Sequence, residues 1–192
     1  LGLLFAGDSK MAFDEAVKAA ALSHSNPVAY YAAGGLAAII ACLAYGLTLP
    51  KALERAETLL GKMHKTDPIL SLLGAAEEQA NNHPAGKTGT WDHIDSISSL
   101  GSGHSAEEAL AIAVYCALAV DDPLDALIVS ANHAGKSTTT GAITGAIEGV
   151  RFGTSFMPEY WADILEGNGV ISFMADKLFY VYNKYHPQKV VK

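Results

Sequence analysis

The sequence predicts an all-α protein. Apolar residues recur at spacings of three and four through most of the chain, and Asn-Pro or Asp-Pro pairs mark helix starts. The chain supplies no set of strands for a sheet. With 192 residues, half of them hydrophobic, it can bury a substantial core, and disorder is excluded for most of it. No linker or solenoid period divides it, so residues 1–192 read as a single helical domain.

The elements follow in order. Asp8 or Ser9 caps a first helix with Met11, Ala12, Ala16, Val17 and Ala20 on one face. Asn26 and Pro27 open a second, which ends near Gly46. Thr48 and Pro50 start a third, whose Ala52, Leu53, Ala56, Leu59 and Leu60 face the core, and Asp67-Pro68 starts a fourth that runs toward Asn81. Residues 83–90, "HPAGKTGT", read as a turn-rich loop. Ser105 and Glu108 have capping-box spacing before "ALAIAVYCALAV". Asp122-Pro123 opens a helix reaching Ala131, and another begins near Ser137. Pro158 begins a short one, and the last spans about Val170 to Tyr185. Gly141, Gly145, Gly149 and Gly153 make a stripe that another helix can approach closely.

Composition excludes several function classes. A net charge of −7 with singly scattered lysines argues against nucleic acid as a partner. The uncharged stretch from Pro27 to Pro50 is rich in Ala, Gly and Tyr, which favours a helix buried on all sides over a membrane span. Cys42 and Cys116 lie in apolar helices as small buried thiols, and without a secretory signal the expected setting is the reducing cytoplasm.

Residues 130–142, "SANHAGKSTTTGA", resemble a phosphate-binding loop, because Gly135-Lys136-Ser137 matches the end of a Walker A motif. Two features oppose that reading. Position 130 is Ser where the loop requires Gly, and "ALIVS" is the only nearby strand candidate. An NTP-binding loop here predicts magnesium-dependent ATP binding that Lys136→Ala abolishes.

Read as helix, loop, helix, "NHAGKSTTTGAITG" from Asn132 to Gly145 resembles the late motif of the ADP-ribosylglycohydrolase family, N-H-x-G-D-x-D-S/T-T-G-A-I-x-G. "LGSGHSAEEALAIAVYCAL" from Leu100 resembles the family's glycine-rich loop and following helix. "LGLLFAGD", "AALSHSNPVAYYAAGGLAAIIA" and "PEYWADIL" resemble further blocks in the family's order. The resemblance implies a compact helical bundle, of which this chain is the C-terminal part or a shortened and degenerate form. It also implies Mg- or Mn-dependent hydrolysis of the glycosidic bond joining ADP-ribose to a protein side chain.

Carried over by position, the family's late carboxylates fall on Lys136 and Thr138, while its hydroxyl ligand is retained as Thr139. Two anions are lost and one cation gained, leaving that locality three charges more positive. The family's early carboxylates have no counterpart, so metal binding is doubtful. ADP-ribose or an ADP-ribosylated protein is the implied partner, with a second copy or a separate N-terminal half as further possibilities.

The resemblance assigns substrate contact to His24, Gly101, Gly103 and His133. Structural readings stand beside each: His24 as a helix-junction residue, the glycines as a turn, and His133 with Asn132 as loop supports. Lys136 reads as a solvated lysine, a phosphate contact, or an ammonium standing where a metal would sit. Glu107 and Glu108 suit the first turn of a helix, where acids complement its dipole. His64, His83, His93, His104 and His186 lack zinc spacing, and neither cysteine has a basic partner. A helical interaction module is the alternative function, expected to expose an apolar patch.

Overall fold

A computed structural model describes residues 1–83 and 90–185; residues 84–89 of the expected loop, and His186, lie outside that range. Ten helices and no strand are present among the described residues: α1 Ser9–Ala21, α2 Pro27–Ala44, α3 Leu49–Leu60, α4 Asp67–Asn82, α5 Thr90–Leu100, α6 Ala106–Ala119, α7 Pro123–Ala131, α8 Ser137–Phe152, α9 Glu159–Ile164 and α10 Asn168–Tyr185.

The caps explain the boundaries. The Asp8 carboxylate accepts the Met11 amide at 3.0 Å, Asn26 accepts that of Val28 at 3.1 Å, and Asp122 accepts those of Leu124 and Asp125 at 2.9 and 3.0 Å. Each satisfies amides that have no partner within their own helix.

Helix α6 is the axis of the bundle. Its residues Ala109 to Ala117 are all buried, enclosed mainly by α4, α8, α2 and α7. Alanines on α2, α3 and α6 let α2 pack closely against α3 and α6, and Leu53, Leu60 and Ile112, with Ile69 and Leu73 of α4, fill the core around them. Each such large side chain contributes roughly 1.5–3 kcal/mol by leaving water, before chain entropy is counted. At Gly34 a Cβ would stand 2.7 Å from Val17 Cγ2, so glycine permits the crossing of α1 over α2.

Two expectations need correction, and one helix was not expected. Helix α2 is enclosed on all sides only from Ala37 to Leu43. Its N-terminal half leaves Ala29, Ala32, Ala33 and Leu36 along a cleft, because the α2, α6 and α8 starts do not close over one another. It remains long and apolar enough to cross a membrane, with mean hydropathy 1.7, and 56% of the helix is packed inside the bundle.

The glycine stripe of α8 is a close approach only in part. Cβ atoms at Gly141 and Gly145 would meet Ala131 and Leu127 at an ordinary 3.5 Å, while Gly149 and Gly153 face open space. Helix α5 is the third difference. Its His93, Ile97 and Leu100 are buried at helical spacing, but a histidine at a core position and a serine-rich remainder obscure the pattern. Both cysteines are buried and free.

Candidate functional site

The N-termini of α2, α6 and α8 open onto one cleft of about 640 Å³. His24 and Asn26 line it from the approach to α2, and Gly103, His104, Ser105 and Glu107 from the approach to α6 and its first turn. Lys136 and Thr139 come from the start of α8, and Ala29, Ala33, Leu36, Leu110 and Ile143 supply apolar wall. Four positions far apart in sequence, His24, Gly103, Lys136 and Thr139, therefore meet in one place.

A cleft of this size is within the ordinary range for small-molecule sites. Three helix starts aim their partial positive charge toward it, and Lys136 adds a full one. Glu107 is the opposing charge on the lining. The arrangement suits an anionic ligand that can also accept or donate hydrogen bonds.

The cleft's wall is set by two loops that touch. The Lys136 amide donates to the Ser102 carbonyl at 2.7 Å, joining the loop before α8 to the loop before α6. Gly135 is what allows it, since a Cβ there would lie 1.9 Å from that carbonyl oxygen. The glycine that resembles Walker A is thus a clearance for another backbone. The residues before Gly135 are helix α7, with no strand feeding the loop.

Glu108 holds the α6 loop from below. Its carboxylate accepts the Ser102 amide at 3.0 Å and the Ser102 hydroxyl at 3.1 Å. Burial opposes ionisation there, but hydrogen bonds from Ser102, Gly103 and His104 outweigh it and hold this carboxyl below its ordinary value. Ser105 accepts the Glu108 amide at 3.4 Å, so one half of the capping box forms. Its other half is diverted: the Glu108 side chain serves the loop instead.

Gly101 and His133 lie outside the lining and shape it from behind. Gly101 has φ +119°, and a Cβ would come within 2.5 Å of the Glu108 carboxyl carbon. Gly103, on the lining, has φ +74° and a Cβ there would stand 3.0 Å from Thr140. The Gly135 amide donates to His133 Nδ1 at 3.1 Å, which requires the tautomer protonated at Nε2. That Nε2–H donates to the Thr140 hydroxyl at 2.8 Å, and the Thr140 hydroxyl donates to the Ser130 carbonyl at 2.7 Å. Burial pushes the His133 pKa down and favours the neutral ring that this relay needs.

Asn132 donates its side-chain amide to the Ile128 carbonyl at 2.8 Å and is spent on the end of α7. Thr138 is exposed and not on the lining. Among the described residues no group of three or more His, Cys, Asp or Glu side chains is gathered as a metal site. His104 was missed as a site residue; it lines the cleft with its Nδ1 3.0 Å from the Ser102 hydroxyl. Its position beside Gly103, two residues before the α6 helix, is the signal that points to it.

The chain is similar to known proteins. The model of the ADP-ribosylglycohydrolase family matches residues 1–188. The ADP-ribosylhydrolase ARH3 of Homo sapiens is 30% identical over 99 residues, 46% of this chain and 27% of the relative. That of Bos taurus is 29% identical over 150 residues, 67% of this chain and 41% of the relative. The matched stretch is less than half the length of these curated relatives. No solved structure matches the chain.

Proposed function

This chain belongs to the ADP-ribosylglycohydrolase family, and on that premise we propose that its cleft binds ADP-ribose, free or carried on a protein, without hydrolysing the glycosidic bond as an isolated chain. The meeting of His24, Gly103, Lys136 and Thr139 in one cleft carries the reading. Lys136 and the three helix starts attract the pyrophosphate, while His24, His104 and Thr139 offer hydrogen bonds to ribose hydroxyls.

The family is metal-dependent, and the donors here do not suit a hard divalent cation. Such an ion requires several oxygen ligands, preferably carboxylates. Thr139 offers one neutral oxygen, and the ammonium of Lys136 repels a cation. Lys136 in our reading supplies fixed positive charge to the anionic ligand directly.

The test is incubation of the chain with a radiolabelled ADP-ribosylated protein, with and without Mg²⁺ or Mn²⁺. The expected result is retention of label on the protein in every condition, with the chain co-eluting with it. Metal-dependent release of ADP-ribose would overturn the proposal.

A second reading, a helical interaction module, is favoured by one observation. An apolar groove of about 860 Å³ runs along α1, α2 and α8, lined by Leu1, Leu3, Leu36, Ile40 and Val150. Concentration-dependent self-association in sedimentation supports that reading, and a monomer at all concentrations with ADP-ribose bound opposes it.

A further inference from the structure

At the opposite end of α2, about 24 Å along the helix from Asn26 at a rise of ~1.5 Å per residue, lies a separate pocket of about 530 Å³. It is formed where the start of α1, the end of α2 and one face of α3 meet, and Ser9, Cys42, Lys51 and Arg55 are among its lining residues. We propose that this pocket is an anion site that takes a phosphate group, either inorganic phosphate or a small phosphate monoester.

The guanidinium of Arg55 is oriented for this role. Its Nε–H donates to the Ser9 hydroxyl at 3.0 Å, and Ser9 is itself buried. The terminal amino edge of the guanidinium makes no ion pair among the described residues. That edge is the planar fork that binds phosphate oxygens in pairs. Lys51 is one helical turn earlier on the same face of α3, and it too makes no ion pair among the described residues. Two cations with no ion pair among the described residues thus line one pocket with a single carboxylate, Glu54, leaving an excess of one positive charge to attract an anion.

Glu54 opposes an anion, but it makes no ion pair with Lys51 or Arg55, so both cations remain free to contact the ligand. At the floor, burial raises the Cys42 pKa, while a hydrogen bond with Ser9 and the charge of Arg55 act against it. Leu47 and Tyr45 form an apolar side that suits the organic part of a monoester.

The experiment is a titration of the ¹⁵N-labelled full chain with inorganic phosphate, and in parallel with phenyl phosphate, at low ionic strength held constant with NaCl. Saturable amide shifts confined to Gly7, Ser9, Lys51 and Arg55 are expected. Arg55→Gln should weaken binding at least tenfold and Lys51→Gln several-fold, with unchanged circular dichroism because both side chains are exposed. Tighter binding of phenyl phosphate identifies a monoester, and equal binding identifies free phosphate. Shifts that NaCl alone reproduces, that centre on Gly103 and Lys136, or that persist in Arg55→Gln would overturn the proposal. The site is independent of the ADP-ribose cleft, so failure here leaves that reading standing.

Discussion

Gly135→Ala is the substitution in which the loop geometry has its largest expected consequence. The added Cβ would sit 1.9 Å from the Ser102 carbonyl oxygen, 2.7 Å from its carbonyl carbon and 3.0 Å from its Cα. All three are backbone atoms, so no side-chain rotation relieves the contact. Real Cβ atoms essentially never come within 3.0 Å, so the two loops must separate by more than 1 Å. The 2.7 Å bond from the Lys136 amide to the Ser102 carbonyl is then lost. That bond is worth about 0.5–1.5 kcal/mol, and the forced displacement adds about 1–3 kcal/mol. A total of roughly 1.5–4.5 kcal/mol lowers the Tm of a chain this size by roughly 3–18 °C. Differential scanning fluorimetry reads the stability, and titration with ADP-ribose reads the cleft, whose wall carries Gly103 and Lys136 on the separated loops. A variant that melts within a degree of the parent and binds equally well would refute the assignment of Gly135 as a backbone clearance.

Other predictions follow from the same contacts. Glu108→Gln removes the carboxylate that holds the Ser102–His104 loop, at a cost of about 1–2 kcal/mol at neutral pH, since the group is only partly buried. The folded-state pKa is lowered, so this stabilisation is present above the ordinary carboxyl value of 4.5 and is lost as pH falls through the folded value. Urea unfolding should therefore show parent and variant converging below pH 4.5, and a gap that persists in acid would contradict the role. Thr140→Val leaves the Ser130 carbonyl and His133 Nε2–H without the hydroxyl between them, for an expected loss of about 1–3 kcal/mol in urea unfolding. Gly74→Ala is the opposite control. Gly74 is inside α4 with open space where a Cβ would go, so the variant should gain about 0.4–1 kcal/mol.

The helices and their boundaries were largely legible because they rest on local chemistry. Asp8, Asn26 and Asp122 cap as their positions suggest, and the Pro residues that follow Asn26 and Asp122 stand at the first helical position. Helix α5 was not legible, because its buried stripe begins with His93, whose ring nitrogen is 2.8 Å from the Tyr115 hydroxyl. The Tyr115 partner on α6, with the His83 ring stacked on His93 at 4.0 Å, makes a histidine suitable at a core position. The cleft was partly legible: His24, Gly103 and Thr139 stand at positions that resemble the family's, and Lys136, which departs from its pattern, lines the same cleft.

The supports behind that cleft were not legible. Capping-box spacing places the Glu108 carboxylate on its own helix start, yet it reaches the neighbouring loop. Gly135 and Ser102 are thirty-three positions apart, and nothing local announces that their backbones touch.

The central claim is that Lys136 takes over a role for which the family uses a metal. Calorimetric titration of the chain with ADP-ribose, in the presence of Mg²⁺ and again with a chelator, tests it most directly. The account predicts equal binding in both conditions, weakened about tenfold or more by Lys136→Ala, as the loss of a charge-assisted contact implies. Binding that appears only with Mg²⁺, or that Lys136→Ala leaves unchanged, would contradict it.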